Sequence, residues 1–448
     1  MHQIANWLSI TSSYVWGIPL IVLLLGTHLF LTFRLRFIQR HLWTAITIGF
    51  SNDKHSPGDI SQFSALMTAL AATIGTGNII GVATAVSIGG PGAVFWLWIT
   101  GVFGIATKYS EALLAVKYRV VTEDETMAGG PMYVLEKALN LKFLAVIFSV
   151  LTAIAAFGIG CSVQSNSIAV LMKETFNVNP QITGIVLAIT TAFVILGGIK
   201  TIAKFCNALV PFMAIFYIVG CTIILIAGYA TLPSTIVLII TSAFTGQAMT
   251  GGFVGASWLM AMRYGVARGL FSNESGMGSA PIVAAAARTK NPVRQALVSS
   301  SGTFWDTVVV CLMTGLVLVN SGMWNDGLST TLMTNAAFTF PPKIGPMILT
   351  IGLLTFVFST IIGWSYYGEK CIEYLGGKKT IFAYRVLWCI MVYVGSVFSM
   401  KAVWDAADIA NGLMAIPNLI SLLLLSGVIV KETKHYLWEN RLDEAEVR

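Results

Sequence analysis

Residues 62–88 would cross a lipid bilayer as one apolar helix were it not for Gly75-Thr76-Gly77-Asn78 at their centre, in FSALMTALAATIGTGNIIGVATAVSIGG (63–90). Each of the two glycines costs a helix about 1 kcal/mol relative to alanine. Unwound backbone in hydrocarbon is tolerated only where it is buried in protein or lines a cavity. Close packing through small residues is one reading of Gly-Thr-Gly, since such faces are common between transmembrane helices. Asn78 favours a site instead, because an amide at the midplane is costly without partners.

The rest of the chain is built for a membrane. Of 448 residues, 56% are hydrophobic and 10% charged, too much apolar surface for a soluble domain to cover. Runs of roughly twenty residues, enough to cross about 30 Å of hydrocarbon, lie near 14–33, 62–88, 93–118, 143–172, 181–198, 206–230, 237–264, 296–320, 346–367, 381–399 and 406–430. The expected fold is an all-α polytopic membrane protein with eleven transmembrane helices in a single domain, 1–448. The first run lacks the basic flank and cleavage site of a signal peptide and reads as a retained helix.

Lys and Arg stay on the cytoplasmic side of short loops. With the N-terminus outside, the outer loops keep only Lys173, Lys343 and Lys401 of the 27 Lys and Arg. Lys108 lies within a run, and the others, Arg263 and Arg268 among them, fall to the inside, down to the cytoplasmic tail 431–448. The expected location is the bacterial inner membrane, multi-pass, with the C-terminus cytoplasmic. The net charge of +7 then reports topology, not a nucleic-acid partner. No CxxC, HExxH, or GxSxG with a buried histidine is present, so the cysteines read as packing residues and no enzyme is expected.

A second disturbance sits in TGQAMTGGFVGASWLM, where Gly251, Gly252 and Gly255 crowd the seventh run. The second and seventh runs are five apart, so 62–230 and 237–430 read as two five-helix repeats related by inversion, with 14–33 as an extra N-terminal helix. Breaks at corresponding positions of inverted repeats point to a secondary transporter's binding site.

GTGNIIGVATA (75–85), GGPGAVFWLWITGVFG (89–104), ATKYSEALLAVKYR (106–119), RGLFSNESGMGSAP (268–281), STIIGWSYYGEK (359–370) and MAIPN (414–418) closely resemble motifs of the alanine or glycine:cation symporter family, within the amino acid-polyamine-organocation superfamily. The resemblance spans nearly the whole chain and implies the five-plus-five inverted-repeat fold named after the leucine transporter. It places Thr76, Gly77 and Asn78 at a substrate carboxylate and carbonyls near Ala72 and Thr73 at the amine, half-helix ends meeting both charges of a zwitterion. Runs four, seven and nine would supply Phe157, Gln164 beside Asn166, Gly252, Gly255, Thr360 and Trp364. Ser359 and Thr360 match a hydroxyl pair that binds sodium together with the carbonyls of Ala71, Ile74 and Phe356, hard oxygen ligands for a hard ion. Other readings stay open: the hydroxyls bond back to their own helix, Gln164 is polar glue, and Trp364 belongs to an interfacial belt.

No charged residue or histidine falls within 71–78, 157–166, 250–257 or 356–364, which favours a neutral zwitterion. Phe157 and Trp364 would limit its bulk and favour alanine, glycine or serine, with glutamine open. Sodium is favoured over protons because 206–230 holds no lysine; no organic cofactor is expected, and oligomeric state is left open. Lys108 and Glu111 read as a pair across one turn, and Asp306 as either paired or part of a gate. RGLFSNESGMGSAP reads as a cytoplasmic loop in which Glu274 and Arg268 either join an inner gate or are merely exposed. The expected function is sodium-coupled import of small neutral amino acids by alternating access. A channel would need a continuous polar lining, and a sensor a soluble output domain.

Overall fold

Helices cover nearly all of the computed structural model, which describes residues 2–51, 56–245, 258–398 and 401–446. Among the described residues the only named strands are Val120–Val121 and Met127–Ala128, an antiparallel pair. Helix starts carry local signals. Ser61 accepts from Ser64 N–H at 3.1 Å, and Asn179 and Asn291 accept from Gln181 and Arg294 N–H, each followed by a proline at the first helical position. These side chains satisfy N–H groups that have no partner within the helix, and proline has none to satisfy.

Among the described residues seven helices are long and apolar enough to span, and Gln62–Thr73 with Gly77–Gly89, bent by 55° at the break, makes an eighth. Length and composition therefore support seven to eight spans where eleven runs were expected. The shortfall has physical causes. Gly92–Lys117 is 26 residues long but packs against Ile18–Arg34, Leu232–Thr245, Trp258–Asn273 and Pro292–Thr303. Facing protein and not lipid, it tolerates Lys108 and Glu111. Pro180–Ile195 is short, and the seventh run is represented by Leu232–Thr245 and Trp258–Asn273, with 246–257 outside the described residues. Lengths nevertheless recur in order. Helices of 26, 35, 16 and 30 residues follow the first break, and 29, 33, 19 and 22 follow Trp258–Asn273.

The segment expected to be a cytoplasmic loop is instead a second break, buried between two helices. Trp258–Asn273 stops, Pro281–Ala284 resumes, and every residue from 272 to 287 is buried. Gly276 and Gly278 turn the chain there at φ +89° and +85°. A β-carbon on Gly278 would also meet Pro131, Phe148 and Asn418. Gly322 shares the positive φ but faces open space. Gly322→Ala should therefore cost only the left-handed conformation, about 1–3 kcal/mol, while Gly278→Ala should cost clearly more. Thermal unfolding of the two variants in detergent, side by side, tests this, and equal shifts would contradict it.

Candidate functional site

The first break is held by one side chain. Helix geometry ends at Thr73, and Ile74 is extended, with φ −77° and ψ 95°. The Asn78 carbonyl oxygen accepts from Gly75 N–H at 2.9 Å, while its amide donates to the Asp306 carboxylate at 2.7 Å and to the Asp306 carbonyl at 3.3 Å. Asp306 also accepts from the hydroxyls of Ser272 at 3.1 Å and Thr307 at 2.6 Å. Asn78 thus spans the break and anchors it to a buried carboxylate, a use not anticipated when it was assigned to a substrate carboxylate.

Thr76 and Gly77 line an open cavity of about 400 Å³, with Ile159, Val163, Asn166, Phe271, Arg268 and Asp408 among its other walls. The Gln164 amide donates to Thr76 Oγ1 at 3.2 Å and to Ile159 O at 3.0 Å, and its carbonyl oxygen is buried without a partner. This contact joins runs two and four at Thr76 and Gln164. Phe157 is not brought to the cavity. Its ring lies 5.2 Å from Tyr384 and 5.5 Å from Trp388. A π-type turn at Ala156–Ser162 adds a residue to the repeat and turns Ile159 and Val163 inward instead, an offset that counting by 3.6 misses. Gly252 and Gly255 lie outside the described residues.

Below Thr76 the oxygen ligands converge. Ser359 Oγ lies 3.4 Å from Ile74 O and 2.8 Å from Phe356 O; Thr360 Oγ1 lies 3.2 Å and 2.9 Å from the same two oxygens. Both hydroxyls do bond back to their own helix, as the simpler reading held, yet they also close on the unwound strand. Ala71 and Ala72 are buried there, Ala72 against Gly363, and Thr73 Oγ1 donates weakly to Leu70 O at 3.5 Å. Among the described residues no three His, Cys, Asp or Glu side chains gather as a metal centre. Carbonyl and hydroxyl oxygens suit a weakly charged hard cation, not a transition metal.

Charges reach the breaks from helices that the segment-by-segment reading had not included. Lys108 and Glu111 do not pair with each other. Lys108 Nζ donates to Asn273 O at 2.7 Å, the carbonyl end of a helix, where a cation is favoured. Glu111 Oε1 accepts from Gly276 N–H and Gly278 N–H, both at 3.0 Å, and from the Asn418 amide at 2.7 Å. Trp364 is buried, not interfacial, and its indole donates to Glu274 at 3.0 Å. Arg268 lines the same cavity as Glu174 and Asn335, which lie in segments expected on the opposite side from it. Two glycines beside Asn, Ser and Pro between apolar stretches were the available signal for the second break.

Along residues 1–448 the sequence matches the profile of the Sodium:alanine symporter family. It is 54% identical to the sodium/alanine symporter AgcS of Methanococcus maripaludis over 95% of each chain. It is 37% identical to the probable sodium/glutamine symporter GlnT of Bacillus subtilis, over 97% of this chain and 91% of that relative. Among solved structures it is similar to MhsT in complex with L-phenylalanine, with a TM-score of 0.57 at 13% identity, covering 84% of this chain and 98% of that one. At that identity the likeness is one of fold. The chain therefore belongs to the sodium:alanine symporter family, a family of multi-pass membrane transporters and not of enzymes.

Proposed function

We propose that the chain is a sodium-coupled importer of small neutral amino acids, alanine and glycine foremost and serine within reach, working by alternating access. The observation that carries this reading is the meeting of Ile74 O, Phe356 O, Ser359 Oγ and Thr360 Oγ1 at the first break. Ala71 O would complete the set. Sodium there would straighten the unwound strand against the Ile344–Gly376 helix, and the substrate would lie just above it. Thr76 and Gly77 would take the carboxylate, and the unpartnered Gln164 oxygen is an acceptor for the ammonium. Binding of each would order backbone that the other needs, so the two affinities would rise together.

The eleven-helix, five-plus-five arrangement is part of the proposal, with 62–230 and 237–430 as inverted repeats, 14–33 as the extra helix and 431–448 as the tail. The recurring order of helix lengths supports it, as do the bent span at the first break and the buried second break. The N-terminus would be outside and the C-terminus cytoplasmic, in the inner membrane. Gly252 and Gly255 remain proposed site residues, and Phe157 would act on the pocket only through Trp388 and Tyr384.

A second reading, proton coupling, has its own observation. Asp306 touches Asn78 and Glu274 touches Trp364, so two carboxylates stand at a site whose own segments hold none. A glutamine substrate is favoured only by the GlnT relationship.

In proteoliposomes, an inward sodium gradient should drive labelled alanine uptake. Thr360→Ala should raise half-saturating sodium by about tenfold, one charge-to-oxygen contact being worth on the order of 1.4 kcal/mol. Uptake driven by a pH gradient without sodium would move the assignment to the carboxylates. Asn78→Ala strips Gly75 N–H of its acceptor and Asp306 of a donor, so it should abolish uptake and destabilise the fold by about 1–3 kcal/mol. Wild-type transport with normal thermal stability in that variant would contradict the bridging role.

A further inference from the structure

Glu274 is a non-glycine residue in the left-handed region, at φ +54°, in the middle of the second break and buried. Such backbone costs on the order of 1–3 kcal/mol and persists where surrounding contacts over-determine it. Those contacts are visible. One carboxylate oxygen accepts from Trp364 Nε1 at 3.0 Å, the other from Ser279 Oγ at 2.5 Å. Lys108, bonded to the adjacent Asn273 carbonyl at 2.7 Å, brings a positive charge beside it.

Trp364 is fixed from two other directions. On the facing helix Gly160 leaves room for the indole, since any β-carbon there would fall on Trp364 Cβ and Cγ. Tyr367 packs edge-on, with ring centroids 5.5 Å apart. Thr360 lies one turn earlier on the same face of the helix that carries Trp364, and Gly160 belongs to the same span as Gln164, so the indole packs between the helix of the proposed sodium ligands and the helix of Gln164. A buried indole N–H needs an acceptor. Glu274 supplies it from the second break.

We infer that Glu274 is a positioning residue that sets the side-chain size of the transported amino acid by holding the Trp364 indole in place. The inference rests on the amino-acid reading above. The carboxylate holds the ring in this orientation between the two helices; without it the N–H would have to seek another acceptor, and the ring would turn and open volume for a larger side chain. A mere brace for the break would change stability and overall rate but not the ranking of substrates by size.

The test uses the full-length protein in proteoliposomes, with labelled alanine uptake under a sodium gradient and unlabelled leucine as competitor. Glu274→Ala and Trp364→Phe should each improve leucine relative to alanine by about tenfold, the worth of one buried hydrogen bond. The double variant should go no further than either single one, because both remove the same contact. Glu274→Gln, which keeps an acceptor, should retain the wild-type ranking. An unchanged leucine-to-alanine ratio in Glu274→Ala and Trp364→Phe, effects that multiply in the double variant, or Glu274→Gln behaving like Glu274→Ala would each overturn the inference. If Glu274→Ala does not fold, Glu274→Met, which keeps the length of the side chain but removes the acceptor, decides it: an unchanged leucine-to-alanine ratio in that variant would overturn the inference. Absence of amino-acid uptake by the wild type would instead defeat the functional reading.

Discussion

Backbone left without helical partners at membrane depth must be satisfied by something other than water. Two buried stretches of this chain interrupt its helices, 74–76 and 274–280, and the buried polar side chains around them are arranged to meet that need. Asn78 takes the Gly75 N–H and ties it to Asp306. Glu111 takes two N–H groups of the second break, and Lys108 takes the carbonyl at its upper edge. Each intramembrane charge is costly alone, and each is matched here to exposed backbone or to a donor. The Ile74 and Phe356 carbonyls with the hydroxyls of Ser359 and Thr360 are the oxygens proposed above to take the cation.

Fixed charges hold the parts of the breaks that serve as scaffold, while weak, long contacts close the part proposed to exchange an ion. The Ser359 to Ile74 contact at 3.4 Å and the Thr360 contact at 3.2 Å are easier to remake around sodium than the 2.7 Å pairing of Asn78 with Asp306. Occupancy of the site would thus be linked to the position of the first half-helix against the Ile344–Gly376 helix. That linkage is the physical content of coupling between ion and substrate.

Much of this was legible from residue order. Gly-Thr-Gly-Asn inside an apolar run announced the first break, and the resemblance brought Ser359 and Thr360 to it from 285 and 286 residues away. Gln164 and Thr360 were reached the same way. The second break was not legible, because its flanking helices, 16 and 4 residues long, are too short to register as a run, and a Gly- and Ser-rich stretch with a glutamate reads as a loop. Lys108 and Glu111 misled for a related reason. Three apart on one helix, they suggested a local pair, but a buried helix can aim both at a neighbour whose exposed backbone needs them more. The π-type turns at Ala156–Ser162 and Phe304–Cys311 shifted the faces of their helices, which put Ile159 where Phe157 was expected and buried Asp306 against Asn78.

The central claim is that one ion and one amino acid move together because both order the same unwound strand. The most direct measurement is radioactive sodium entry into proteoliposomes under an imposed inward alanine gradient, with sodium equal on both sides and the membrane potential clamped. The account expects sodium to accumulate against equality only when alanine flows in, and to stop doing so in Thr360→Ala. Sodium entry indifferent to the alanine gradient would contradict it.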